Sequence, residues 1–171
     1  MFERRIPARI VPMRIFSRGW GKVALGLGIL LVLYAFTRLT NLTKLPIFTD
    51  EAIYIRWSQI GAQDANWRFI SLTDGKQPLF TWVTMALLRL VPGDPLFVGR
   101  LTSVVTGAFS LVGIWFLAWE LFKNKRVAFL SSILYLVLPF TLMYDRMALY
   151  DSMVATFYIW NVYLAIRLVR E

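Results

Sequence analysis

Long apolar stretches alternate with short charged ones along this chain, and their lengths set the expected elements. The first apolar run covers about residues 23–36, behind a segment holding Arg4, Arg5, Arg9, Arg14, Arg18 and Lys22. With Trp20 and Tyr34 as interface anchors, it and its flanks approach the roughly 20 residues a helix needs to cross a bilayer. Residues 96–119, 127–143 and 152–169 read as three further spans. Residues 96–119 are rich in small side chains, Gly107 and Gly113 among them, which suits close helix packing in lipid. Residues 78–91 are apolar but brief and close on Pro92-Gly93-Asp94-Pro95. That length suits an interfacial or re-entrant segment better than a crossing. Residues 40–77 are polar by comparison. There Thr49-Asp50-Glu51 reads as a helix start with Thr49 or Asp50 as its cap, followed by a short helix carrying Ile53, Trp57 and Ile60. Residues 144–151 form a second polar island.

Composition agrees with that pattern. Of 171 residues, 58% are hydrophobic and only 17% charged, where soluble domains carry about a quarter charged residues. The expected fold is all-α: a polytopic helical membrane protein with about four transmembrane helices, plus juxtamembrane helices in the first external loop. The absence of Cys excludes disulfides and thiolate metal sites. The absence of His excludes imidazole catalysis. Acid–base chemistry is left to Asp, Glu, Lys, Arg and Tyr. The net charge of +9 sits beside apolar segments, as membrane insertion requires, so it speaks for membrane lipids and against nucleic acid. A basic start also opens signal peptides, but no small-residue cleavage site follows the first apolar run.

Charge sets the expected orientation. If residues 78–91 do not cross, the N-terminus (residues 1–22), the Lys123–Arg126 loop and the C-terminal end share one side. They carry eleven Lys and Arg against three acidic residues. The other side holds the loops at about 38–95 and 144–151, with eight basic against seven acidic residues. Positive charge gathers in the cytoplasm, so the N-terminus is expected inside and the two loops outside, at the plasma membrane. If residues 78–91 did cross, Lys123–Arg126 would move outside and the fit would worsen. The Asn41-Leu42-Thr43 sequon then lies outside as well.

Four elements in order carry a resemblance: Thr49-Asp50-Glu51-Ala52-Ile53-Tyr54, Asp74-Gly75-Lys76-Gln77-Pro78-Leu79, Arg100-Leu101, and Arg146 to Asp151. Together they resemble the polyprenol-phosphate-sugar-dependent glycosyltransferases of the GT-C fold. The branch is the protein mannosyltransferase and aminoarabinose transferase group (glycosyltransferase family 39-like). That group shows a Lys-Pro-Pro-Leu-like element where this chain has Lys76-Gln77-Pro78-Leu79. The resemblance runs from about Arg38 to the end. Members continue for several more spans, so the expectation is the N-terminal module of such an enzyme or a truncated reading frame, the remainder completing the lipid-donor groove.

The reaction implied is sugar transfer from a polyprenyl phosphate to a protein, lipid or glycan acceptor in the cell envelope. By resemblance, Asp50 is the candidate general base, with Glu51 orienting it or the acceptor. Glu51 reads equally as a first-turn acid favouring the helix dipole. Lys76 and Arg100 are expected on the donor phosphate, and Arg100 also reads as a residue snorkelling from the start of its span. Asp151 is expected to pair with Arg146 or to hold a divalent ion, Mg²⁺ or Mn²⁺, with Asp50. Tyr54, one turn after Asp50, is expected to face the same site. Two readings from other classes remain: a non-catalytic membrane partner or scaffold, which predicts that Asp50 is dispensable, and a transporter fragment, which predicts midplane charges and paired repeats.

Overall fold

A computed structural model describes residues 20–170, and the side chains from Gly21 onward. The basic segment expected in the cytoplasm over residues 1–22 lies, but for its last residues, outside that range. The described elements are α1 (Trp20–Leu39), α2 (Thr49–Gln63), two 3₁₀ turns (Ala65–Trp67 and Ile70–Asp74), α3 (Leu79–Leu90), α4 (Pro95–Phe122), α5 (Lys125–Val137), α6 (Pro139–Tyr144) and α7 (Asp151–Arg170). There is no strand among the described residues. Three helices, within Gly21–Leu39, Pro95–Phe122 and Asp151–Arg170, are long and apolar enough to cross a bilayer. The chain is therefore an all-α membrane protein.

The fourth expected span is not one helix. Residues 127–143 read as continuous by hydropathy, but α5 stops at Val137 and α6 begins at Pro139. Leu138 between them is extended, at φ −62° and ψ 124°. Proline has no N–H to give the preceding turn, and it bars the residue before it from the helical region. The Tyr135 carbonyl, which residue 139 would have bonded, accepts instead from the Thr141 hydroxyl.

Helix α4 is the mast of the fold, packed against α1, α3, α5 and α7. Asp94 caps it by accepting from Leu96 N at 3.0 Å, with Pro95 in the first turn. Between α4 and α7 runs a seam of small hydroxyls. Ser110 and Thr156 are 2.7 Å apart, Ser103 donates to Leu149 O, and Thr156 donates to Thr106 O. Lipid offers no hydrophobic drive between helices, so such close polar contacts hold them together. Gly107 lets the bundle close. A Cβ there would overlap the Tyr34 hydroxyl from α1 and the Asp145 carboxyl beyond α6.

Charges divide between the two ends of α4. At its C-terminal end Glu120 bonds Lys123 and Arg170, with Lys22, Lys125 and Arg126 at the neighbouring ends of α1 and α5. Everything from Leu39 to Asp94 gathers at the other end, called the cleft end below. Helix α3 is shorter than a crossing helix needs to be. Lys76 before it lies beside Asp151, the first residue of α7, and Asp94 after it starts α4. Its Thr84 meets Thr102, two turns into α4, at 3.1 Å. At twelve residues it measures about 18 Å, well under the ~30 Å apolar thickness.

Just inside the cleft end, Arg38 and Asp145 are both buried, with Nε–Oδ2 at 3.8 Å. Tyr135 and Ser152 donate to the Asp145 carboxylate, and Arg38 Nη1 donates to Leu136 O at 2.8 Å. This arrangement predicts the accessibility of three exposed positions. With no native Cys, Asn66→Cys and Met143→Cys should react with an impermeant thiol reagent from the same face of the membrane, and Asn124→Cys only from the opposite face. Labelling of Asn124→Cys together with Asn66→Cys would mean that α3 crosses.

A charged cleft where helices begin

The cleft end is organised around one ion pair. Glu51, in the first turn of α2, and Arg100, in the second turn of α4, are both buried. Arg100 Nε and Nη2 donate to the two Glu51 oxygens at 2.8 Å each, a fork-on-fork geometry. The remaining guanidinium donors reach Leu42 O (2.7 Å), Leu45 O (3.0 Å) and Pro46 O (3.1 Å), in the loop between α1 and α2. Glu51 also accepts from Phe48 N at 3.0 Å and Ala148 N at 2.7 Å. Burial pushes its carboxyl up, but the hydrogen bonds from Arg100, Ala148 and Phe48 outweigh that and hold it below the usual glutamate range. Phe48, rather than Thr49 or Asp50, is the residue before the first helical turn, and Glu51 supplies the bond back to its N–H.

Glu51 and Arg100 are thus each other's partners, where the expectation set Glu51 on Asp50 or the acceptor, or in a first-turn role, and Arg100 on the donor phosphate. Neither lines an opening, and all five guanidinium hydrogens of Arg100 meet protein oxygens. Arg146 Nη2 donates to Thr40 O and Asn41 O while its buried Nε meets no acceptor, and the residue is not among those lining the cleft and makes no ion pair with Asp151.

Asp50, Tyr54, Lys76 and Asp151 do come together. They line a cleft of about 390 Å³ with Asp74, Trp57, Tyr144 and Tyr150. Asp50 and Glu51 are neighbours in the first turn of α2, so their side chains diverge by about 100°, one outward into the cleft and one inward onto Arg100. Asp151 opens α7, so two helix N-termini present a carboxylate to the same space. Lys76 is aimed by Gly75, whose φ of +67° closes the preceding 3₁₀ turn with Lys76 N bonded to Ser71 O. Its ammonium stands 5.6 Å over the Tyr150 ring. Tyr54 packs edge-on against Trp57, Phe80 and Tyr150. Burial first, then Tyr150 and the nearby carboxylates, push its phenol well above the usual tyrosine range, so it stays protonated. Among the described residues no group of three or more acidic side chains converges closely enough to hold a metal ion, and three separate carboxylates, Asp50, Asp74 and Asp151, line the cleft.

The cleft continues into a second space. A groove of about 530 Å³ shares Lys76 and Tyr150 with it and runs along α7 past Met153, Val154, Phe157 and Tyr158. A polar compartment thus joins an apolar one at a single lysine. Sequence reasoning missed Asp74, Trp57 and Tyr150, and it missed Arg38 and Asp145. Asp74-Gly75 beside Lys76 was a visible turn signal. The pairing of Arg38 with a residue beyond α6 had none.

Comparison with known families finds a match. The model described as dolichyl-phosphate-mannose-protein mannosyltransferase fits residues 75–171, more than half of the chain. No curated protein and no solved structure matches.

The clamp has a pH signature. The folded Glu51 carboxyl titrates below its unfolded value of about 4.3. Its stabilisation is therefore full above that value and is lost as pH falls through the folded one. Thermal unfolding in detergent should show a melting temperature that drops below about pH 4.3. Glu51→Gln should be less stable at neutral pH and flatter in acid. Glu51→Ala or Arg100→Ala alone should cost about 3–5 kcal/mol, because each leaves a buried partner uncompensated. An Arg100→Ala variant as stable as the parent would contradict the clamp.

Proposed function

The chain belongs to the dolichyl-phosphate-mannose-protein mannosyltransferase family, and on that premise we propose that the cleft is the transfer site of a membrane glycosyltransferase using a polyprenyl-phosphate-linked sugar. The carrying observation is the junction at Lys76, where a carboxylate-lined cleft opens into an apolar groove. A lipid-linked sugar has the same anatomy: sugar, phosphate, hydrocarbon. The sugar would lie in the cleft among Trp57, Tyr54 and Tyr150, the phosphate at Lys76, and the first prenyl units along α7.

Asp50 takes the proton of the acceptor hydroxyl as general base. The acceptor oxygen bonds to the anomeric carbon while that carbon's bond to the phosphate oxygen breaks. The polyprenyl phosphate leaves with the electron pair, and a single displacement inverts the anomeric centre. Lys76 and the positive N-terminal ends of α2, α3 and α7 stand against the charge that develops on the leaving group. Asp151 faces Asp50 and helps place the acceptor. A divalent ion between these two carboxylates would add positive charge beside the phosphate, and two carboxylates with substrate oxygens are a donor set that Mg²⁺ accepts. Glu51 and Arg100 shape the site without touching the substrate. The charge asymmetry supports a cleft on the external face of the plasma membrane, with an acceptor that is a protein, lipid or glycan.

Two variants test this. Asp50→Asn should lower mannosyl transfer from polyprenyl-phosphate mannose about 10²–10⁴-fold with thermal stability unchanged. Lys76→Ala should weaken donor binding more than transfer from bound donor, with Lys76→Arg restoring part of it. Full transfer activity in Asp50→Asn would remove Asp50 as the general base, and absence of transfer by the parent chain would return the scaffold reading.

A further inference from the structure

The far end of the bundle carries a second space that the transfer reaction does not use. A groove of about 740 Å³ lies between α1 and α5, with Trp115 of α4 beneath it. Its rim carries three cations, Lys22 from α1 and Lys125 and Arg126 from α5. Its walls are Val23 and Gly26 on one side and Phe129 and Leu130 on the other. We propose that this groove binds one anionic glycerophospholipid of the surrounding leaflet, phosphate at Lys22 and Arg126 and acyl chain along the α1–α5 seam.

The argument rests on register. Both helices start at this end and run the same way. On α1, Lys22 precedes Gly26 by four residues. On α5, Lys125 precedes Phe129 and Arg126 precedes Leu130 by the same interval. Residues four apart share a helix face, about 6 Å apart along the axis. Both walls therefore place their cations one turn outward of their apolar surface, matching a phosphate above its glycerol and acyl chain. Gly26 has the room to make the seam: a Cβ there would sit 3.1 Å from the Phe129 ring. Glu120, which would compete for the cations, is already held by Lys123 and Arg170. The Asn124-capped N-terminus of α5 adds its positive end at the same level. Basic pockets between transmembrane helices are a known mode of anionic headgroup binding. Lys22 and Arg126 are exposed cations that an anionic headgroup balances and a neutral one does not, so the groove discriminates by charge, and only a tethered chain fills the rest of it.

The test is native mass spectrometry of the full chain, released from vesicles containing equal phosphatidylglycerol and phosphatidylcholine. One phosphatidylglycerol should be retained per chain and phosphatidylcholine should not. The exposed pair Lys22→Gln/Arg126→Gln should lower retention about thirtyfold, the effect of two cations at the headgroup level. Arg68→Gln/Arg89→Gln at the cleft end should leave it unchanged. Gly26→Leu, which fills the seam but keeps the cations, should lower it as well. Equal retention of phosphatidylcholine would overturn the proposal, as would undiminished retention in the Lys22/Arg126 variant or equal loss in the Arg68/Arg89 variant. So would displacement of the lipid by an equimolar amount of free glycerophosphate, which would show that the cations bind phosphate without the groove.

Discussion

The bidentate pair between Glu51 and Arg100 is the contact on which the cleft end depends. It joins α2 to α4, draws the loop of residues 40–48 onto the guanidinium through three carbonyls, and reaches Ala148 in the segment leading into α7. Three regions far apart in sequence, residues 40–51, the start of α4 and the segment before α7, are thereby fixed around one buried charge pair. Desolvating two charges is costly, and such pairs add specificity of arrangement more reliably than net stability. The arrangement specified here is the placing of Asp50. With Glu51 turned inward on Arg100, its neighbour must face outward, towards Asp151 and Lys76.

Much of this was legible in the chain. Apolar run length gives α1, α4 and α7, and the shortness of residues 78–91, with their closing Pro-Gly-Asp-Pro, gives a helix too short to be a full span. Pro139 was equally visible and was read through, because hydropathy counts its ring as apolar and ignores its missing N–H. The charged residues of the cleft end could be listed but not sorted. Asp50 and Glu51 are adjacent acids of nearly equal propensity, and only contacts 49 and 97 residues away, to Arg100 and Ala148, decide which is clamped and which faces the cleft. Asp145 was passed over for Asp151 because a polar island shows no difference between a carboxylate facing the bundle and one facing the opening.

The two compartments at Lys76 divide the recognition problem by physical type. In the cleft, aromatic faces and carboxylates suit a polar ring. In the groove, Met153, Val154 and Phe157 suit hydrocarbon and carry no directional information. Selectivity for a sugar would then rest on the cleft alone, while the groove would accept isoprenoid chains with little regard to their length.

The break before Pro139 has a consequence for how this sequence can change. A helix interrupted within the bilayer exposes carbonyls, and an unmet carbonyl in hydrocarbon costs several kcal/mol. Here Thr141 covers Tyr135 O, and Arg38, from a different helix, covers Leu136 O. Arg38 is in turn a charge that could not remain buried without an acceptor and the Asp145 carboxylate. The interruption and the cation are mutual debts: restoring a continuous helix would strand the arginine, and removing the arginine would leave the interruption open. Substitution at either place is tolerable only with a matching change at the other, so these two positions, 101 residues apart, should drift through sequence space as one.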